Sequence, residues 1–452
     1  MSEESKLKKV LGLWDVLGIA AGQIIGAGVM SLTGIAIQLT GSGVTPAYIL
    51  SAVITIFTIM PIAILGSAIP TTGGLYRYSS RLLSPKIGFF WMLLFILLQI
   101  TIALYAISFA QYLQGLFPTV PIRPVALILI TVLFLANIIG VKIAAIVERW
   151  MVIVLLLSLV IFVVWGVPDI NYSVFNMNDM FPDGFLGFFT AVGLISFATG
   201  GAQVIAELGG EMKNPGRDIP LTIVIATIGI GVMYAFMATI AAGVLPIKQV
   251  AGEPLTAVAG EVLPRPLFLV FMIGGAMFAL ATTLNATFSW VTKSILIACQ
   301  DGWLPKRLGA VNRKFGTPHW LLTLFYLIGA IPIITGLSLE TIAQLGTGIS
   351  LIVFAFPAVA ATQLPKKYPE LYKNSPFKVS PGKLYLLAVI AVVLLGFQSY
   401  LLISSLELKY ILGTFVYIVA AALYVIIVGN TQKFRSKKFS GFSANGGDSV
   451  EF

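Results

Sequence analysis

The sequence predicts an all-α integral membrane protein of twelve transmembrane helices, ten of them forming a 5+5 inverted repeat with broken helices 1 and 6, followed by two extra helices. Three observations lead there. Of the 452 residues, 58% are hydrophobic and only 10% charged, with a mean hydropathy of +0.98, whereas soluble domains carry about 25% charged residues. The apolar residues gather into segments that supply the ~20 residues needed to cross a bilayer, with one shorter member. Two of those segments, the first and the sixth, carry clusters of small residues at mid-depth, although each glycine in a helix interior costs about 1 kcal/mol relative to alanine.

In chain order the predicted spans run from Leu11 to Ile37, Thr45 to Ile69, Ile87 to Leu116, Pro124 to Gly140, Ala145 to Val167, Gly184 to Leu208, Ile219 to Leu245, Pro266 to Cys299, His319 to Gly336, Leu339 to Ala361, Leu384 to Ser405 and Tyr410 to Gly429. An even number of spans leaves both ends on one side. With the N-terminus inside, 23 Lys and Arg fall on inside segments and 4 on outside segments, while Lys293 stays within a span. The positive-inside rule then places both termini in the cytoplasm of a multi-pass plasma-membrane protein. The net charge of +10 reads as topology, not as nucleic-acid binding. Residues 1–10 form a cytoplasmic N-terminus, 11–168 the first repeat, 184–362 the second, 380–429 the two extra spans and 430–452 a cytoplasmic tail. That tail is rich in Gly, Ser and Asn after Lys438, a composition predicting no regular structure. The polar start and the long first apolar segment predict a retained first span, not a cleaved signal. A lone cysteine, Cys299, excludes an intrachain disulfide framework.

Within the first span lies Gly22-Gln23-Ile24-Ile25-Gly26-Ala27-Gly28. In hydrocarbon every amide or carbonyl freed by unwinding needs another partner, so three glycines at that depth indicate either a cavity that takes a ligand or a face for close helix packing. Span six repeats the pattern with Ser196-Phe197-Ala198-Thr199-Gly200-Gly201 and is expected to resume toward Glu207 and stop near Asn214-Pro215. Interrupted helices opening each of two groups of five predict an inverted repeat with its binding site at the midplane.

The first-span pattern, the exit Glu207-Leu208-Gly209-Gly210-Glu211-Met212-Lys213-Asn214-Pro215, and Leu284-Asn285-Ala286 leading to Asp301-Gly302-Trp303-Leu304-Pro305 resemble the amino acid-polyamine-organocation (APC) superfamily of transporters. The resemblance runs from about Trp14 to Pro365 and implies the leucine-transporter type of fold, with ten core helices in two inverted repeats. It leaves the oligomeric state and any accessory subunit open.

A half-helix N-terminus presents unpaired amides and partial positive charge, and a half-helix C-terminus presents carbonyls. Two such breaks make a receptor for a zwitterion. By the family pattern, the amides of Ala27 and Gly28 take a carboxylate, and the carbonyls of Ile24, Phe197 and Gly200 take an amine. Phe197 matches an aromatic gate over the substrate, the alternative being an ordinary packed ring. Gln203 falls where a proton-linked relative carries Glu, and a plain interhelical hydrogen bond is the alternative for it. No Asp, Glu, Lys or Arg lies in Ala20 to Gln38 or in Phe185 to Ala206. A neutral amino acid is therefore the expected substrate, with membrane lipid as a further expected partner.

Intramembrane charges are functional candidates by default. Glu207 and Glu211 are expected in a solvated network near Lys213 and Arg217, with Lys293 snorkelling or pairing with one of the acids. His319 is expected at the interface, and Asp169, Asp179 and Asp183 in a solvated loop without calcium-site spacing. No Ser-His-Asp, Cys-His, HExxH, Cys-x-x-Cys or phosphate-loop arrangement is present, so an enzyme is excluded. A channel or receptor is disfavoured by the absence of a charged-ring path or a soluble module.

For the coupling ion, many sodium-independent relatives place a Lys in the middle of the fifth span, where sodium sits in sodium-coupled members. Met151 to Trp165 contains no Lys or Arg. Ala279, Thr282 and Thr283 share one helical face and are similar to the sodium-site pattern of those members. The implied shell joins the carbonyls of Gly22, Ile25 and Ala279 to the two hydroxyls. No other cofactor is expected. The alternative is that mid-helix threonines simply bond back to their own helix.

Overall fold

The computed structural model describes residues 11–139, 145–312, 314–431, 440–442 and 448–451. The basic residues Lys6, Lys8, Lys9, Lys142, Arg313, Lys433, Arg435, Lys437 and Lys438, all counted in the charge balance, lie outside the described residues.

The architecture is a helical bundle. The first apolar run divides into α1 (Leu13–Ile24), α2 (Ala27–Thr40) and α3 (Val44–Ala68). Next come α4 (Pro85–Leu98), α5 (Thr101–Leu116), α6 (Ile122–Ile139) and α7 (Ala145–Gly166). The second half begins with α8 (Gly184–Thr199) and continues through α9 (Pro215–Gly243), α10 (Phe278–Gln300), α11 (His319–Thr335) and α12 (Leu339–Ala361). Helices α13 (Pro381–Ser404) and α14 (Leu408–Gly429) close the bundle. Among the described residues, ten helical stretches are long and apolar enough to cross a membrane, and His319–Thr335 is a shorter apolar helix.

Their packing shows why so little polarity is needed. Helices α1, α2, α3, α8 and α10 form the centre, where Ile24, Val29, Ile62, Leu194 and Leu284 are buried. The outer helices instead leave large apolar side chains uncovered: Ile128 of α6 is 63% exposed, and α14 presents Leu412, Phe415, Val416 and Ile427 outward. An apolar girdle of this extent around an apolar core matches lipid, not water, as the solvent. The chain is a multi-pass membrane protein.

Two departures from the sequence reading have local causes. The segment Ile87 to Leu116, expected as one uninterrupted helix, is interrupted between α4 and α5 at Gln99–Ile100. Gln99 Nε2 donates to the Phe95 carbonyl (3.0 Å) and Thr101 Oγ1 to the Leu98 carbonyl (3.2 Å), so side chains compete with the helix ladder there. In the tail, Ser440–Phe442 and Asp448–Glu451 pair as a short antiparallel ribbon, where composition predicts no regular structure. Backbone pairing needs little from side-chain type in so short a ribbon.

Candidate functional site

The first break lies at Ile25–Gly26. Helix α1 ends as the Ile25 amide donates to the Ala21 carbonyl, and Ile25 itself turns extended (φ −84°, ψ 104°). Helix α2 starts at Ala27, so the first-turn amides of Ala27 and Gly28 have no carbonyl one turn earlier in their own helix. The second break lies at Gly200–Gly201. Gly201 takes φ +117°, a conformation that glycine adopts without steric cost. The chain then resumes as a 3-10 turn over Ala202–Glu207. Gln203 Oε1 accepts from the Gly201 amide (2.9 Å), so this side chain caps its own break and, among the described residues, makes no interhelical bond.

The two breaks touch. A Cβ on Gly28 would stand 2.4 Å from Ala198 Cα, and one on Gly201 would stand 3.0 Å from the Gln23 carbonyl oxygen. Gly28 is thus a crossing point of α2 and α8. Beside this crossing, Thr283 Oγ1 of α10 donates to the carbonyls of Gly22 (3.0 Å) and Ile25 (3.2 Å). Thr282 behaves differently, bonding back to Phe278 (2.7 Å) and Ala279 (3.1 Å) of its own helix. Three of the five expected cation ligands therefore converge, while the Thr282 hydroxyl and the Ala279 carbonyl satisfy each other. Among the described residues no three His, Cys, Asp or Glu side chains cluster as metal ligands, and the oxygens of this cluster are all neutral. Such a set suits a monovalent hard cation.

A cavity opens on the Gly200–Gly201 side of the crossing. Gln23, Phe197, Gly200 and Gln203 line it, with walls from α3, α5, α10, α12 and α13. Ile24, Ala27 and Gly28 are buried next to it without lining it. The Ile24 carbonyl already accepts the Tyr234 hydroxyl (3.1 Å), so an incoming amine there would share or displace that proton. Phe197 meets Tyr105 with ring centroids 6.0 Å apart, and both rings line the cavity. Phe95, in α4, is 2% exposed and stacked on Trp91. Phe57, at 46%, is an outward-facing phenylalanine.

Both ends of the broken pair are tied down. At the end that carries Leu11, that residue bridges to Met212, its amide donating to the Glu211 carbonyl (3.1 Å). Lys293 pairs with Glu211 (3.1 Å), one of the two acids expected for it. Arg81 forms a two-armed bridge to Asp301, which also accepts from Tyr76. Glu207 departs from the solvated network: at 2% exposure it is buried, accepting from the Leu75 amide (2.9 Å) and Ser294 Oγ (3.1 Å). Packing of the segment Gly73–Leu75 over the 3-10 turn removes it from water, which charge spacing alone does not reveal. At the opposite end the Gly252 and Leu255 amides donate to the Gly34 and Met30 carbonyls of α2. His319 begins α11 after Pro318 and packs on Trp320, and Asp169, Asp179 and Asp183 are exposed.

The amino acid permease family model matches residues 11–429, nearly the whole described bundle. The chain belongs to the amino acid permease family, within the APC superfamily. It is a transporter and not an enzyme. Among similar proteins, "Branched-chain amino acid permease BcaP" of Bacillus subtilis is 26% identical over 88% of this chain and 90% of its own length. "Serine/threonine exchanger SteT" of the same organism is 27% identical over 72% of this chain and 76% of its own length. "Uncharacterized protein MJ0609" of Methanocaldococcus jannaschii is 26% identical over 78% of this permease and 82% of its own length.

Proposed function

We propose that this permease is a secondary active symporter that carries neutral L-amino acids with sodium across the plasma membrane by alternating access. Its twelve spans form two inverted groups of five plus two, with both termini cytoplasmic. The observation that carries the reading is the cavity wall, which includes the break residues Phe197, Gly200, Gly201 and Gln23 and holds no Asp, Glu, Lys, Arg or His. A cationic or anionic side chain would be buried there without a partner, at a cost of several kcal/mol. The amino and carboxyl groups shared by all amino acids are left to the backbone ends of the two breaks. Two relatives, BcaP and SteT, are named for neutral amino acids, while others are named for cationic amino acids and methylthioribose, so the reading rests on the wall and not on the names.

Sodium is supported by the convergence of the Gly22 and Ile25 carbonyls on Thr283 Oγ1. A bound sodium ion would hold the end of α1 against α10 and fix the carbonyl geometry beside the substrate. Sodium-independent exchange or proton coupling is the second reading, favoured by the Thr282 hydroxyl being turned to its own helix. Linkage distinguishes the two, because sodium must raise amino-acid affinity by the factor by which the amino acid raises sodium affinity. In proteoliposomes, uptake is expected to fall at least about tenfold when choline replaces sodium. Thr283→Val is expected to remove that dependence, and Thr283→Ser to keep it. Equal uptake in sodium and choline would reject sodium coupling in favour of the second reading.

A further inference from the structure

The far wall of the cavity contains polar groups that the protein does not satisfy. Gln398 is 3% exposed, and among the described residues neither Oε1 nor Nε2 has a hydrogen-bond partner. Thr347 Oγ1 and Trp290 Nε1 are likewise buried and unpaired. All three residues line the same cavity as Phe197 and Gly200, although they come from α13, α12 and α10. Native proteins pair nearly all buried polar atoms, and unpaired ones on residues that line a cavity have a direction in which a rotamer change can satisfy them.

The placement of Gln398 is built into the helix packing. Its neighbour Ser399 donates from Oγ to the Gly348 carbonyl (2.8 Å), and Gly348 follows Thr347 in α12. On the other side, a Cβ on Gly193 of α8 would lie 3.5 Å from both the Cβ and the carbonyl oxygen of Gln398. Helix α13 is therefore locked against α8 and α12 at this level, and one of the two extra helices supplies a wall of the substrate cavity.

We propose that Gln398, Thr347 and Trp290 form a side-chain subsite that selects neutral amino acids carrying a hydrogen-bonding group, a hydroxyl or a carboxamide, over aliphatic ones. This rests on the amino-acid transport reading above. Gln398 offers both a donor and an acceptor, Thr347 either, and Trp290 a donor. A hydroxyl or carboxamide can answer donors and acceptors together, whereas an aliphatic side chain would leave them all unpaired. A carboxylate or ammonium finds no opposite charge among the lining residues. Rejection of the apolar isostere is the stronger half of such selection, because the desolvated polar groups of the site stay unsatisfied.

The test is uptake by proteoliposomes of threonine against valine and of asparagine against leucine, near-isosteric pairs that differ in hydrogen bonding. The wild-type protein is expected to favour the polar member by at least about tenfold in kcat/KM. Gln398→Met, which keeps volume but removes the amide, and Thr347→Val should each bring the ratio toward one. Two variants on separate helices keep the test decisive if one fails to fold. Wild-type preference for the aliphatic member, no preference, or a ratio unchanged in both variants would overturn the subsite. Saturable uptake without polar preference sinks this inference alone, while absence of any amino-acid uptake sinks the transport reading and this inference with it.

Discussion

Gly28→Val is expected to abolish transport by separating the two broken helices, with a loss of thermal stability measurable in detergent. The added Cβ would fall 2.4 Å from Ala198 Cα and 2.5 Å from Ala198 Cβ, a contact with backbone that no rotamer relieves. Overpacking of this kind costs about 1–3 kcal/mol or more, and here it acts where α2 and α8 cross. The sequence suggests a second explanation, that bulk at Gly28 blocks the ligand, and a paired substitution separates the two. Gly28→Ala should impair stability and uptake, and adding Ala198→Gly should restore part of each, because it removes the methyl at 2.5 Å while the Ala198 Cα at 2.4 Å stays in place. A purely ligand-blocking role predicts no rescue by a change on α8.

The second large effect is expected at Glu207. Its carboxylate ties the 3-10 turn after the second break to the Leu75 amide and to Ser294 of α10, and its own carbonyl accepts from the Gly73 amide. Glu207→Ala would leave buried donors unpaired, costing about 1–3 kcal/mol, which is a roughly 5- to 150-fold shift in favour of states where these elements separate. Val204 lines the cavity and reports on that separation. In a Cys299→Ser background, thiol labelling of a Val204→Cys protein should accelerate by a factor in that range when Glu207→Ala is added. Glu207→Gln, which keeps an acceptor for the Leu75 amide, should accelerate it far less. Equal labelling rates with and without Glu207→Ala would show that this carboxylate does not hold these elements together.

Much of the fold is legible in the sequence because membrane helices must carry their own hydrogen bonds and face lipid, which leaves a hydropathy and glycine signal. The breaks at Ile25–Gly26 and Gly200–Gly201 fall inside the two small-residue clusters. The meeting of Thr283 with Gly22 and Ile25 is legible through the resemblance to sodium-coupled relatives. What the sequence hides depends on which faces of different helices meet. Phe95 and Glu207 are buried by neighbours far away in the chain, and Gln398 reaches the cavity only because α13 packs on α8 and α12. A polar residue in mid-span, as at Gln99 and Gln398, is the signal that could have flagged the missed wall, since an amide at that depth needs a partner.

The uncharged cavity beside the second break is the central claim, and a substrate panel in proteoliposomes tests it most directly. Radiolabelled alanine, serine, threonine, valine, leucine, glutamine, lysine, arginine and glutamate would each be measured for saturable uptake at fixed sodium. The expected result is saturable uptake confined to neutral members, with lysine, arginine and glutamate neither transported nor competing. Saturable uptake of a charged amino acid in preference to all neutral ones, or conductance without saturable uptake of any, would contradict it.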